Sequence, residues 1–221
     1  MARKAPEVAM RAVLTRERIV HAAVGLIERE GVDALAMRAV ATELGVAVMS
    51  LYNHVPNKAA LLAGVAEYVM GGMELPDDPG EDWRVRARTL IRAFRKAAHD
   101  YPRSMTVVLT HRIDTSIGLR PAERALAIAE SAGFDGEMAV RIMRALLAYA
   151  LGAQMREVGT TKMLDHLHQD PSEAFAQLDP VEFPHVIALA PELARHDPEA
   201  DFEFGLDLLI SALDGLPRAS R

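Results

Sequence analysis

Residues 44–62 read LGVAVMSLYNHVPNKAALL, and no other stretch constrains the chain as tightly. Met37, Val40, Ala41 and Leu44 recur at helical spacing, and Gly45 ends that stripe, because glycine takes the left-handed conformation a tight turn needs. A short helical stretch follows, carrying Ser50, Tyr52, Asn53 and His54. Asn57 then caps a further helix with Leu61, Leu62, Val65 and Val69 on it. So short a helix does not hold itself together in water, since nucleation is costly and propagation adds little per residue. Its neighbours must hold it. With Leu51 and Val55 facing inward, Ser50, Asn53, His54 and the Tyr52 hydroxyl are left facing outward. A supported short helix after a glycine turn is the arrangement of a helix-turn-helix, whose second helix enters the major groove of DNA. An ordinary helical hairpin with a polar surface has the same spacing, so spacing alone does not choose between them.

Upstream, Ile19, Val20, Ala23, Leu26 and Ile27 predict a helix with Thr15 as N-cap and Glu17 in its first turn, ended by Gly31. The stretch GGMELPDDPGED (71–82) is rich in Gly, Pro and acids and marks a domain junction. Beyond it, Trp83, Ala87, Leu90, Ile91, Phe94 and Ala98 predict a longer amphipathic helix. A polar interruption falls at HRIDTSIGLRP (111–121), and residues 121–132 and 135–157 read as two more helices. Residues 158–200 hold five of the twelve prolines and cannot form one helix. The last helix, about 200–216, carries Phe202, Leu206, Leu209 and Leu213 on one face and Phe204, Leu208 and Ala212 on another. No strand pattern or repeat is evident. The fold expected is all-α: an N-terminal helical domain with a helix-turn-helix, then a larger C-terminal helical bundle.

Charge is unevenly spread. The net charge is −6, yet residues 1–18 hold Arg3, Lys4, Arg11, Arg16 and Arg18 against Glu7 and Glu17. From 161 onward, acids outnumber Lys and Arg by twelve to four. A basic end on an acidic body suits a polyanion met at the N-terminal end, although a solvated basic tail reads the same way. There are no cysteines, no apolar run long enough for a membrane span and no apolar stretch suited to a signal peptide. The expectation is a cytoplasmic protein.

The residues themselves then narrow the choice. T-x-x-R-I-V-x-A-A stands at 15–23, E-R-E-G at 28–31, M-R-A-V-A-x-E-L-G-V at 37–46 and L-Y-x-H-V-x-N-K-x-x-L-L at 51–62. With this internal spacing the stretch resembles the TetR family of bacterial transcriptional repressors. LRPAER (119–124), AGF (132–134), ALG (150–152) and FEFGLDLLI (202–210) are similar to the regulatory half of its tetracycline-repressor branch. The resemblance implies a basic tail at 1–14, a DNA-binding domain at 15–73 with its helix-turn-helix at about 36–55, and a regulatory, dimerising domain at 74–221. It implies a homodimer on a pseudo-palindromic double-stranded operator, a small-molecule effector, and no membrane association. By motif position Arg38, Val48, Met49, Ser50, Tyr52, Asn53, His54 and Lys58 stand at DNA. Ser, Tyr and Lys suit phosphates, while Asn and His suit base edges. Val48 and Met49 are apolar where this branch often carries polar base readers, and Asn53 replaces a common aromatic.

For the effector, a bundle between the fifth and eighth helices would be lined by Phe94, Met143 and Leu147, which serve equally well as plain core. Leu208 and Leu209 are the expected dimer-interface residues. The branch member that senses tetracycline binds it as a magnesium chelate, through a histidine before a Gly-x-Arg-Pro turn and a partner-subunit carboxylate. Ser116 and Arg156 occupy those positions here, so the resemblance implies no metal, no resident cofactor and a metal-free effector that is apolar or amphipathic. Asp165, His166 and His168 in DHLHQD read as a solvated loop rather than a metal site, and His99, His111 and Arg112 as helix caps rather than a cavity lining. No nucleophile elbow or phosphate-cradling glycine loop is present, so the chain does not read as an enzyme. The readings left open are a repressor released by a small effector, a regulator of the same fold without one, and a helical enzyme or lipid carrier.

Overall fold

The computed structural model describes residues 13–75, 78–110, 116–166, 175, 178–195 and 197–219, with 158–166 as backbone only. The basic tail (Arg3, Lys4, Arg11), His111, Arg112 and His168 lie outside them, as do the side chains of Asp165 and His166. The described residues contain no strand. They also contain no helix long and apolar enough to cross a membrane. The chain divides into two compact units, residues 1–72 with 101–119, and residues 73–100 with 120–221.

In the first unit, α1 (Arg16–Glu30), a 3-10 turn (Val32–Ala34), α2 (Met37–Leu44), α3 (Val48–Tyr52) and α4 (Lys58–Gly71) surround a common core. The expected caps are present. Thr15 Oγ1 accepts the Arg18 N–H, and Asn57 Oδ1 accepts the Ala60 N–H at 2.8 Å. Gly45 sits at φ 65, ψ 35, and the Val46 N–H reaches back to Ala41 O, the six-residue closure of a Schellman turn. Ile19, Ile27, Leu35, Leu51, Val55 and Leu61 are all fully buried, each stabilising the unit by roughly 1.5–3 kcal/mol. α1 and α4 approach closely at Gly64, where a Cβ would stand 2.7 Å from Val20 Cγ2.

α6 (Ser104–Thr110) also belongs to this unit, although it follows α5 (Trp83–Asp100) in the chain. Sequence periodicity left it unread. Val107 is wholly buried in the α1–α4 core. The first amides of α6 are taken up by α1: the N–H groups of Ser104 and Arg103 donate to the two Glu28 carboxylate oxygens, and the Arg103 guanidinium donates to Arg29 O.

The second unit contains α5 (Trp83–Asp100), α8 (Gly136–His166), α9 (Pro184–Ala188), α10 (Ala190–Ala194) and α11 (Pro198–Ala212). The chain crosses into it within α7 (Ser116–Ser131). Two boundaries and one buried face differ from expectation. α7 starts five residues before Pro121, since a proline in an early turn removes only one backbone bond. α8 continues past 157 to His166, because Gly159 and the threonines after it weaken a helix without forbidding one and the first proline comes at 171. α11 buries Phe202, Leu206 and Ile210, a four-residue step, so that Leu209 and Leu213 are only half-buried.

α11 and the 3-10 turn after it (Leu213–Gly215) are held to α5 by an antiparallel row of ion pairs: Arg84 with Asp214, Arg88 with Asp207 at 2.8 Å, Arg92 with Glu203 at 2.5 Å, and Arg95 with Glu199 at 3.2 Å. The Arg92 guanidinium holds the Glu203 carboxyl below its ordinary range. Arg95 also lies over the Phe202 ring, 4.3 Å from its centroid. Each exposed pair is worth little alone, but the row fixes which residues of α5 meet which of α11.

Candidate nucleic-acid interface

α3 rests on the first unit's core through Leu51, and Val55 just beyond its end is equally buried. Their burial turns the rest of the helix outward. Met49 is 72% exposed and Tyr52 42% exposed, while Asn53 and His54 are also exposed and Ser50 is half-buried. Val48 behaves differently from its neighbour, packing against the core from its edge. Lys58, the first residue of α4, and Arg38, the second of α2, are both exposed. The eight residues singled out at the motif positions therefore lie on α2, α3, the turn after it and the start of α4, and all but Val48 and Ser50 are exposed.

The charge of this surface suits a polyanion. Between Glu43 and Glu67 the chain has no Asp or Glu, although it has 31 acids in all. Glu43 itself is paired with Arg29 at 2.9 Å. Glu17 is exposed at the start of α1. Its own backbone N–H and the Thr15 hydroxyl hold its carboxyl below the ordinary range, helped by the nearby charge of Arg16. The groups present accept and donate hydrogen bonds, carry positive charge, or are apolar, which is the set a duplex groove is read with.

In the second unit, Phe94 is buried in the core and Met143 and Leu147 are half-buried. None of them lines the cleft of about 470 Å³ bounded by Arg92, Arg95, Lys96, His99, Glu157, Pro198 and Glu199. His99 stands in the last turn of α5, where a histidine faces the helix's negative end. On α11, Leu208 is 57% exposed and Phe204 68% exposed, on a side turned from the buried row, with Leu209 between the two. Ser116 opens α7, and Arg156 is paired with Asp201 at 2.8 Å. Glu28 lies within the motif stretch at 28–31, but nothing there disclosed that it joins α1 to α6 through Arg103 and Ser104. The only sign of α6's start in the sequence is the polar Asp-Tyr-Pro-Arg-Ser (100–104) ahead of an apolar run.

Two family models match the chain. One describes bacterial regulatory proteins of the tetR family and matches residues 19–65, and the other describes the tetracyclin repressor-like C-terminal domain and matches residues 75–216. The chain is 30% identical over 145 residues to an HTH-type transcriptional regulator of Saccharopolyspora erythraea, which covers 66% of this chain but 61% of that protein. It thus spans about three-fifths of that relative's length. It is also 30% identical over 218 residues to the class G tetracycline repressor protein of Vibrio anguillarum, covering 93% of this chain and 96% of that one. Among solved structures, the TetR family protein ActR of Streptomyces coelicolor in complex with (S)-DNPA matches with a TM-score of 0.77 at 26% identity, over 91% of this chain and 98% of that one. The short outward-facing helix on a closed core, and the bundle that follows it, are thus parts of one shared architecture: the chain belongs to the TetR family of bacterial transcriptional regulators.

Proposed function

We propose that this regulator is a homodimeric, cytoplasmic repressor that binds a pseudo-palindromic operator and is released from it by a small apolar or amphipathic effector. The observation that carries the DNA-binding part is the outward face of α3 and the turn after it, where Tyr52, Asn53 and His54 stand exposed on a segment fixed from beneath by Leu51. Tyr52 and Lys58 reach phosphate oxygens, Asn53 and His54 reach base edges, and Arg38 reaches in from α2. A dimer presents two such helices, and half-site spacing follows from the distance between them.

Release follows from population shift: an effector that binds better to a conformer whose α3 helices no longer match successive major grooves lowers operator occupancy. Support for an effector comes from similar solved structures that are complexes with small molecules, ActR of Streptomyces coelicolor with actinorhodin and a TetR variant of Acinetobacter baumannii with minocycline. The test is a gel-shift of the full chain on the DNA flanking its gene, repeated with candidate effectors. Failure to retard any flanking fragment at low salt would overturn the repressor reading.

A further inference from the structure

We propose that Met49 reads thymine in the operator through its 5-methyl group; this rests on the DNA-binding reading above and adds the chemistry of one contact. A single exposed apolar side chain signifies nothing by itself. Position gives this one its meaning. Met49 is 72% exposed on the five-residue α3, and Tyr52 and Asn53, three and four residues on, share its side of the helix. Val48, also apolar, is accounted for by its packing against the core. Met49 has no such role in the fold.

The major groove presents hydrogen-bond donors and acceptors at every base pair, and one apolar group, the thymine methyl. A methionine side chain has no donor and only a weak sulfur acceptor, so it gains nothing from the polar edges of guanine, adenine or cytosine. Against a methyl it gains a desolvated apolar contact, and its unbranched, polarisable chain adapts to the methyl's position. The acid-free run between Glu43 and Glu67 also leaves α3 without a carboxylate to accept from cytosine N4. Polar readout on this face is left to Arg38, Asn53 and His54, and apolar readout to Met49.

The experiment selects duplexes from a random pool with the full-length chain. Each thymine of the selected site is then replaced singly by deoxyuridine, which removes only the 5-methyl, and affinities are measured at fixed salt. One or two thymines per half-site should each lose about fourfold in affinity for the parent, the worth of one buried methyl-sized group. Met49→Ala should bind the thymine and uracil duplexes equally, Met49→Leu should keep the difference, and Val48→Ala should not abolish it. Because Met49 is exposed, its variants should unfold at the parent's temperature, which separates lost readout from lost fold. If a specific site is selected yet every thymine tolerates uracil, or Met49→Ala remains as sensitive as the parent, the methyl readout is wrong and DNA binding stands. If no specific duplex is recovered, the operator reading fails and this contact fails with it.

Discussion

The Glu28 carboxylate near the end of α1 accepts the Ser104 N–H at 2.7 Å on one oxygen and the Arg103 N–H at 3.2 Å on the other, so a side chain of one helix caps the start of another 76 residues away. Ser104 is wholly buried, and water cannot replace the missing acceptor. Glu28→Ala should therefore cost about 1–3 kcal/mol, the desolvation penalty of the buried Ser104 amide left unsatisfied. Glu28→Gln keeps one acceptor oxygen and should cost about half as much. Urea unfolding reads both, and an unchanged midpoint for the alanine variant would remove the cap from the account of how α6 is held.

A second close fit lies in the other unit. A Cβ on Gly205 of α11 would overlap the Tyr149 ring, with Cε2 and Cζ at 2.8 Å, while the Tyr149 hydroxyl donates to Phe202 O at 2.6 Å. Gly205→Ala should destabilise the chain by about 1–3 kcal/mol through overpacking. Adding Tyr149→Ala should relieve part of that loss, a non-additive pair in a double-mutant cycle. Simple additivity would show that the two helices part without resistance.

What the sequence disclosed, and what it hid, follows from how local each cause is. Thr15, Gly45 and Asn57 act on amides within five residues of themselves, and all three ends are where capping chemistry put them. α6 was hidden because MTVVLT is rich in β-branched residues that disfavour helices, and what holds it is Glu28 on a distant helix. The arginines at 84, 88, 92 and 95 form a visible stripe on α5, but their partners come more than a hundred residues later. The positions proposed to face DNA were read from the motif, whereas the different surroundings of Val48 and Met49 depend on how α3 is rotated on its core.

At the operator, Tyr52→Phe and Lys58→Ala should weaken binding to all sequences alike, because phosphates carry no sequence. The lysine change should lower the slope of log affinity against log salt by about one. Asn53→Ala should instead flatten preference at one or two base positions. Quantitative binding at several salt concentrations distinguishes these, and three variants that all bind like the parent would mean α3 is not the reading helix.

Phe204 and Leu208 leave α11 with an exposed apolar side that the described residues do not bury. Helices with such a surplus pair with a symmetry mate in a four-helix interface. Leu208→Asp should yield a folded monomer, and Leu209→Asp, at a half-buried position, monomers or insoluble protein. Sedimentation at micromolar concentration is the measurement. A parent chain that is folded and freely monomeric there would overturn the dimer.

The last prediction concerns what the bundle does not sense. Much of the chain is similar to tetracycline repressor proteins, such as the class G protein at 30% identity over 218 residues. Yet the two positions that the resemblance assigns to a magnesium–tetracycline chelate hold Ser116 and Arg156. A neutral serine hydroxyl is a poor magnesium ligand beside a carboxylate or imidazole. Arg156 brings a positive charge where a carboxylate is required, and its guanidinium is already engaged with Asp201 at 2.8 Å. Glu157 does not substitute for it, because one step along a helix turns a side chain by about 100°. Glu157 is instead paired with Arg95 at 3.2 Å. Tetracycline should therefore neither quench Trp83 in a magnesium-dependent way nor displace the chain from its operator, and the effector should act without metal. Titration of tetracycline with and without magnesium, followed by tryptophan fluorescence and gel-shift, decides the matter: tight, magnesium-dependent quenching together with operator release would show that the chelate is sensed after all.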